Sequence, residues 1–167
     1  LGLSGLEKSE YLNLPSELEG SLYLNGLETA ENLKLPNMIM GNLSLNSLKS
    51  AKNLTLPNLI GGSLYLRGLE TAEGLNLPQD IGSLVLDNLS SAEFLQLPEK
   101  VLGDLDLSSL EYAYDLEFPK KIKGRLYLNN LKDAKGIKLP IGTEVIIKKE
   151  LYDEIIWYDP NEIKKTK

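Results

Sequence analysis

A glycine recurs at positions 20, 41, 62, 82, 103 and 124, at intervals of 21, 21, 20, 21 and 21 residues. Between these glycines one phrase keeps returning: "SLYLNGLETAENLKLP" from residue 21, "NLSLNSLKSAKNLTLP" from 42, "SLYLRGLETAEGLNLP" from 63 and "SLVLDNLSSAEFLQLP" from 83. A unit this short cannot enclose a core of its own, so it buries its apolar side by stacking on copies of itself, which is the signature of a solenoid. Leu1 to Glu19 reads as a copy that lacks its opening two residues, and Gly124 to Pro140 reads as a last one. Seven copies therefore cover the chain from residue 1 to about residue 140. The single 20-residue step follows Pro78, where "PQDIG" lacks the residue that "PNMIMG" carries between isoleucine and glycine.

Inside one unit, Leu22 and Leu24 alternate with Ser21, Tyr23 and Asn25, a period of two that predicts a short strand with one face inward. Leu33 and Leu35 repeat the alternation around Lys34 and predict a second strand. Between them Leu27, Ala30 and Leu33 are spaced by three, which suits a tight 3₁₀-like bend. The middle of the bend is Ala30, Ala51, Ala72, Ala92, Ala113 and Ala134, with Ser9 in the first unit, so a small side chain is expected where the chain turns inward. Proline, with no N–H to donate, is expected to close the second strand at Pro36, Pro57, Pro78, Pro98, Pro119 and Pro140. Each buried leucine contributes roughly 1.5–3 kcal/mol, against about 1–2 kcal/mol per residue of backbone ordering. One coil alone would not hold, so cohesion comes from the stack.

The register-locked proline in "LKLPNMI", "LNLPQDI" and "LQLPEKV" resembles a bacterial leucine-rich-repeat variant, the treponemal or BspA-like class, whose units carry an "IxIPxxV" segment. The resemblance extends over all seven units. It implies a mainly β, right-handed, leucine-rich-repeat-like β-solenoid of about seven 21-residue coils with a C-terminal cap, in a bacterial protein. The chain lacks that class's "AFxxC" element and the asparagine ladder of the standard leucine-rich repeat, and its unit is shorter. A straighter β-solenoid is the competing description.

The domains expected are the repeat solenoid, residues 1–140, and a capping segment with a tail, residues 141–167. A last coil leaves an apolar end and an unpaired strand edge that need a lid. Val145, Ile146 and Ile147 suit a final strand, and Leu151, Ile155, Ile156 and Trp157 suit a cover, with "NEIKKTK" trailing off polar and basic. Trp157 and Tyr158 read alternatively as a binding hot spot. The chain opens within a repeat and without methionine, so it reads as a fragment or a processed product. Localisation is left open between the cell surface or exterior and the cytoplasm.

The chain has no cysteine and no histidine, which removes thiolate metal sites, disulfides and histidine-based general bases or dyads. A net charge of −6 argues against nonspecific binding to nucleic acid or anionic lipid. No apolar run approaches the roughly 20 residues that span a bilayer. With no phosphate loop and no basic stripe, neither a cofactor nor catalysis is expected. Asp87, Asp104 and Asp106 invite a calcium site or a carboxylate pair for glycan cleavage, but aspartate does not recur in every turn as a calcium solenoid requires. Two N-x-S/T matches, at Asn42 and Asn53, fall in predicted strands and read as chance.

Because the inward columns are occupied by the core, function is expected on outward ladders. The clearest is Gly2, Tyr23, Ser44, Tyr65, Val85, Asp106 and Tyr127, flanked by polar columns such as Asn25, Asn46, Arg67 and Asp87. Tyrosine supplies amphipathic contact area at small entropic cost. The expected partner-binding residues are thus Tyr23, Tyr65 and Tyr127, with Arg67, Asp87 and Asp106 tuning charge complementarity to a protein partner. The bland alternative is that tyrosine simply favours strands. Rival readings are a spacer or stalk, glycan adhesion, and an acidic rod imitating DNA, the last weakened by Lys49, Lys52, Lys120, Lys121 and Lys123. The second ladder, Asn13, Lys34, Thr55, Asn76, Gln96, Glu117 and Lys138, reads as plain solvated surface.

Overall fold

Leu22, Leu24, Leu43, Leu45, Leu64, Leu66, Leu84, Leu86, Leu105, Leu107, Leu126 and Leu128 are completely buried, two from each coil after the first, which is what a period-two strand with one apolar face must do. The computed structural model describes residues 1–162, and the end of the basic tail, from residue 163 onward, lies outside them. It is a mainly β solenoid of about seven turns. The first sheet holds seven parallel strands: β2 (Leu22–Tyr23), β4 (Leu43–Ser44), β6 (Leu64–Tyr65), β8 (Leu84–Val85), β10 (Leu105–Asp106), β12 (Arg125–Leu128) and β14 (Glu144–Ile147). At the usual separation of about 4.8 Å per strand the stack is roughly 29 Å long.

The second sheet corrects the expected strand position. Its strands are β1 (Glu17–Leu18), β3 (Met38–Ile39), β5 (Leu59–Ile60), β7 (Asp80–Ile81), β9 (Lys100–Val101) and β11 (Lys121–Ile122), all beyond the proline rather than at the alternating leucines before it. Proline explains the shift. A ladder cannot draw a donor from it, and coil-to-coil bonding resumes one residue later, with Asn37 N donating to the Ser16 carbonyl and Asn58 N to that of Asn37. Leu33 is buried, whereas Leu35 is half-buried.

The bend is built from two tight turns. Leu27 N donates to the Leu24 carbonyl at 3.2 Å and Leu33 N to that of Ala30 at 3.1 Å, the i to i+3 closures expected from the spacing by three. The third residue of the second turn has positive φ in every coil: Tyr11 (67°), Asn32 (59°), Asn53 (64°), Gly74 (78°), Phe94 (63°), Asp115 (59°) and Gly136 (81°). Asparagine, aspartate and glycine suit this left-handed slot; a bulky aromatic does not.

The recurring glycines form their own ladder. Gly41 N donates to Gly20 O, Gly62 to Gly41, Gly82 to Gly62, Gly103 to Gly82 and Gly124 to Gly103, at 2.8–3.2 Å. Backbones approach so closely here that a Cβ on Gly82 would sit 2.3 Å from the Gly62 carbonyl oxygen. The shortened coil is absorbed at this corner. Elsewhere the residue after the second-sheet isoleucine or valine donates to the coil before, as Met40 N does to Leu18 O and Gly61 N to Ile39 O; where that residue is missing, Gly82 follows Ile81 directly, this one bond drops out, and the glycine-ladder bond from Gly82 to Gly62 is kept. Both sheets stay in register across the step, Ile60 with Ile81 and Leu64 with Leu84.

At the C-terminal end β14 extends the first sheet by pairing with β12. A short 3₁₀ helix, Lys149–Glu154, then lays Leu151 over the core, and Ile155 buries behind it. The last strand, β15 (Ile156–Tyr158), pairs with β13 (Lys138–Pro140), so the segment before the last proline does become a strand once a neighbour is supplied. Ile156 is exposed instead of covering the core, because alternation along β15 turns Trp157 toward the apolar interior.

Candidate functional site: two faces of the solenoid

The first-sheet ladder is in register along the stack: Tyr23 pairs with Ser44, Ser44 with Tyr65, Tyr65 with Val85, Val85 with Asp106 and Asp106 with Tyr127. Tyr23 is exposed, while Tyr65 and Tyr127 are half-buried; Ser44 and Val85, beside the tyrosines, are buried. Tyr23 and Tyr65 lie two strands apart and Tyr65 and Tyr127 three, so their rings occupy one row at separations of roughly 10 and 14 Å.

The polar residues around this row are largely engaged within the protein. The Arg67 guanidinium pairs with the Asp87 carboxylate on the next coil and lies over the Tyr65 ring, 5.8 Å from its centroid. Asp106 Oδ1 accepts the Ser108 N–H at 3.0 Å, and Asp104 Oδ1 accepts the Arg125 N–H at 2.8 Å. With Asp87 held by Arg67, the three aspartates are each committed to a different partner, and the described residues contain no cluster of three or more metal-binding side chains. On the flanking columns Ser21 Oγ accepts Asn42 N, Asn42 Oδ1 accepts Ser63 N, Ser83 Oγ accepts Asp104 N and Asn25 Oδ1 accepts Asn46 N, at 2.8–3.1 Å. These side chains join one coil to the next. Arg125 Nε also donates to Glu144 Oε1 at 2.7 Å, and that bond, followed by contact with Tyr127, holds the guanidinium above its ordinary pKa.

A second face departs from the sequence reading. Around the column alanine of the bend, most coils place a small capping side chain before it and a charged residue after it. Lys52 N donates to Ser50 Oγ, Glu73 N to Thr71 Oγ1, Glu93 N to Ser91 Oγ and Lys135 N to Asp133 Oδ1, at 2.7–3.2 Å. The sixth coil puts Tyr112 and Tyr114 in those two places, and the fifth puts Phe94 in the left-handed slot. All three are exposed, by 43, 57 and 60 %, and the two tyrosine rings stack at 5.5 Å with 18° between their planes. They line a shallow groove of about 470 Å³ between the two coils together with Glu93, Gln96 and Asp115. Tyr114 Oη donates to Asp133 Oδ2 at 3.2 Å; partial desolvation first, then this bond, raises the phenol above its ordinary pKa. Lys132 Nζ lies 5.8 Å from the centroid of Tyr112 and bonds Glu111 Oε2 at 2.7 Å. The signal was available in the aligned left-handed slot, which reads Tyr, Asn, Asn, Gly, Phe, Asp, Gly and so marks Phe94 and Tyr11 as misfits.

None of the described helices is long and apolar enough to cross a membrane. No protein-family model matches the chain, and no curated protein and no solved structure is significantly similar to it.

Proposed function

We propose that this protein is a noncatalytic recognition or scaffold module of bacterial, leucine-rich-repeat-like kind, which holds a protein partner against the outer face of the first sheet. The observation that supports this reading most directly is the in-register row of Tyr23, Tyr65 and Tyr127 on a sheet whose flanking polar groups are already satisfied by neighbouring coils. The tyrosines are the amphipathic side chains of that face, and aromatic anchors on a rigid sheet lose little entropy on contact. With Arg67 and Asp87 paired to each other, they present a dipole beside the Tyr65 ring rather than a free charge.

A photo-cross-linking residue at Tyr65, used on the full chain in extract of its own cells, should capture a protein that the same residue at exposed Asn76 does not. Changing Tyr23, Tyr65 and Tyr127 together to serine should lower capture at least tenfold with the circular-dichroism spectrum unchanged. Equal capture by the triple variant would reject this face. A second reading, a spacer or stalk, is favoured by the five ion pairs among the described residues, four tying one coil to the next and one tying the last coil to β14. It predicts silent surface substitutions and tolerance of a whole-coil deletion.

A further inference from the structure

We propose that the groove between the fifth and sixth coils binds a basic peptide segment, seating a lysine or arginine side chain among the rings of Phe94 and Tyr114 and the carboxylates of Glu93 and Asp115. The groove lies on the bend, on different residues from the tyrosine row of the first sheet, so the inference stands apart from the function proposed above. Along the proline side of the stack, the neighbouring grooves of about 330 and 220 Å³ are lined by leucine, proline, asparagine, glutamine, Thr55 and a Glu99 already paired with Lys120, and hold no aromatic residue. Three aromatic departures from the repeat, drawn from three different columns of the unit, converge on this one groove.

Charge complementarity selects the occupant. The lining contains Glu93 and Asp115 and no lysine or arginine, and neither carboxylate takes part in an ion pair among the described residues. Aromatic faces attract cations through their quadrupole, and a nearby carboxylate adds complementarity. The molecule already makes this arrangement twice with its own cations. Lys132 lies against the Tyr112 ring and bonds Glu111, and Arg67 lies against Tyr65 and bonds Asp87; in each pair one element comes from the adjacent coil. At Phe94 and Tyr114 the groove repeats the ring-and-carboxylate half of that pattern, again across two coils, and no lysine or arginine lines it, the nearby Lys132 being held at Tyr112 by Glu111. Phe94 keeps its ring at the mouth by occupying a backbone conformation that a bulky residue rarely adopts.

The test is fluorescence anisotropy of a labelled octapeptide of alternating glycine and arginine, titrated with the full chain at low salt. A control peptide carries glutamate in place of arginine, and unlabelled cellopentaose serves as a neutral competitor. Binding of the arginine peptide should weaken at least fivefold in Phe94→Asn, which keeps both the net charge and a residue type already found in that slot at Asn32 and Asn53. It should weaken similarly in the Glu93→Gln, Asp115→Asn double variant, and change less than twofold in Tyr23→Ser, Tyr65→Ser. The inference is overturned by no measurable binding, by indifference to Phe94→Asn, by equal binding of the glutamate peptide, or by displacement with cellopentaose. Loss in the Tyr23→Ser, Tyr65→Ser variant instead would assign the peptide to the sheet face and overturn the groove.

Discussion

Adding one methyl group to the glycine ladder should separate two positions that the sequence presents as identical. In Gly82→Ala the new Cβ would lie 2.3 Å from the Gly62 carbonyl oxygen and 2.7 Å from its carbon, both backbone atoms that no rotamer change can move. Relief requires the coils to part by roughly 1 Å, because ordinary contacts begin near 3.5 Å. That overpacking costs about 1–3 kcal/mol. Parting the coils also stretches the 3.0 Å bond from Gly82 N to Gly62 O, whose loss costs about 0.5–1.5 kcal/mol. The sum is about 1.5–4.5 kcal/mol, a fall in Tm of roughly 3–18 °C for a chain of this size. Gly20→Ala meets nothing within 4 Å and has no positive φ, so restricting the unfolded chain should leave it neutral or more stable by about 0.4–1 kcal/mol. Thermal and urea unfolding followed by far-ultraviolet circular dichroism compares the two. Equal losses, or a Gly82→Ala protein as stable as the parent, would refute the argument that backbone approach sets the spacing of coils.

Leu66→Ala, in the fully buried column of the fourth coil, should cost about 2–5 kcal/mol in urea unfolding, whereas Ile156→Ser on the exposed face of β15 should change stability by less than about 0.5 kcal/mol. Tyr114 should ionise above the ordinary tyrosine range, because partial desolvation and then the bond to Asp133 disfavour the phenolate. Its contribution to stability is therefore fully present below the ordinary tyrosine range and fades as pH rises through the elevated folded value. The Tyr114 ring signal in an NMR pH titration should show the late transition, and Asp133→Asn should bring it earlier; a Tyr114 transition at the ordinary tyrosine pKa would contradict it.

What the sequence made legible was whatever repeats. Leu22 and Leu24, Ala30 and Gly41 each return once per coil, and a stacked array turns such recurrence directly into buried columns and backbone ladders. The second strand was misread because Leu33 and Leu35 alternate as a strand does, yet Pro36 supplies no donor there and bonding passes to Asn37. Likewise the tyrosine row was visible from its period of two, but the pairing of Arg67 with Asp87 was not, since it depends on side chains 20 residues apart meeting across adjacent coils. The aromatic groove escaped for the opposite reason. Phe94, Tyr112 and Tyr114 break the residue type of the columns they occupy, and alignment by period discounts the residues that deviate from it.

The one coil that is a residue short shows where this architecture forgives a copying error. Omitting the residue between Ile81 and Gly82 forfeits a single coil-to-coil amide bond and leaves the pairings on either side undisturbed. That corner is a slip joint: a winding that loses a residue there keeps its neighbours aligned. A designer wishing to graft a loop onto the rod would insert it at the same joint.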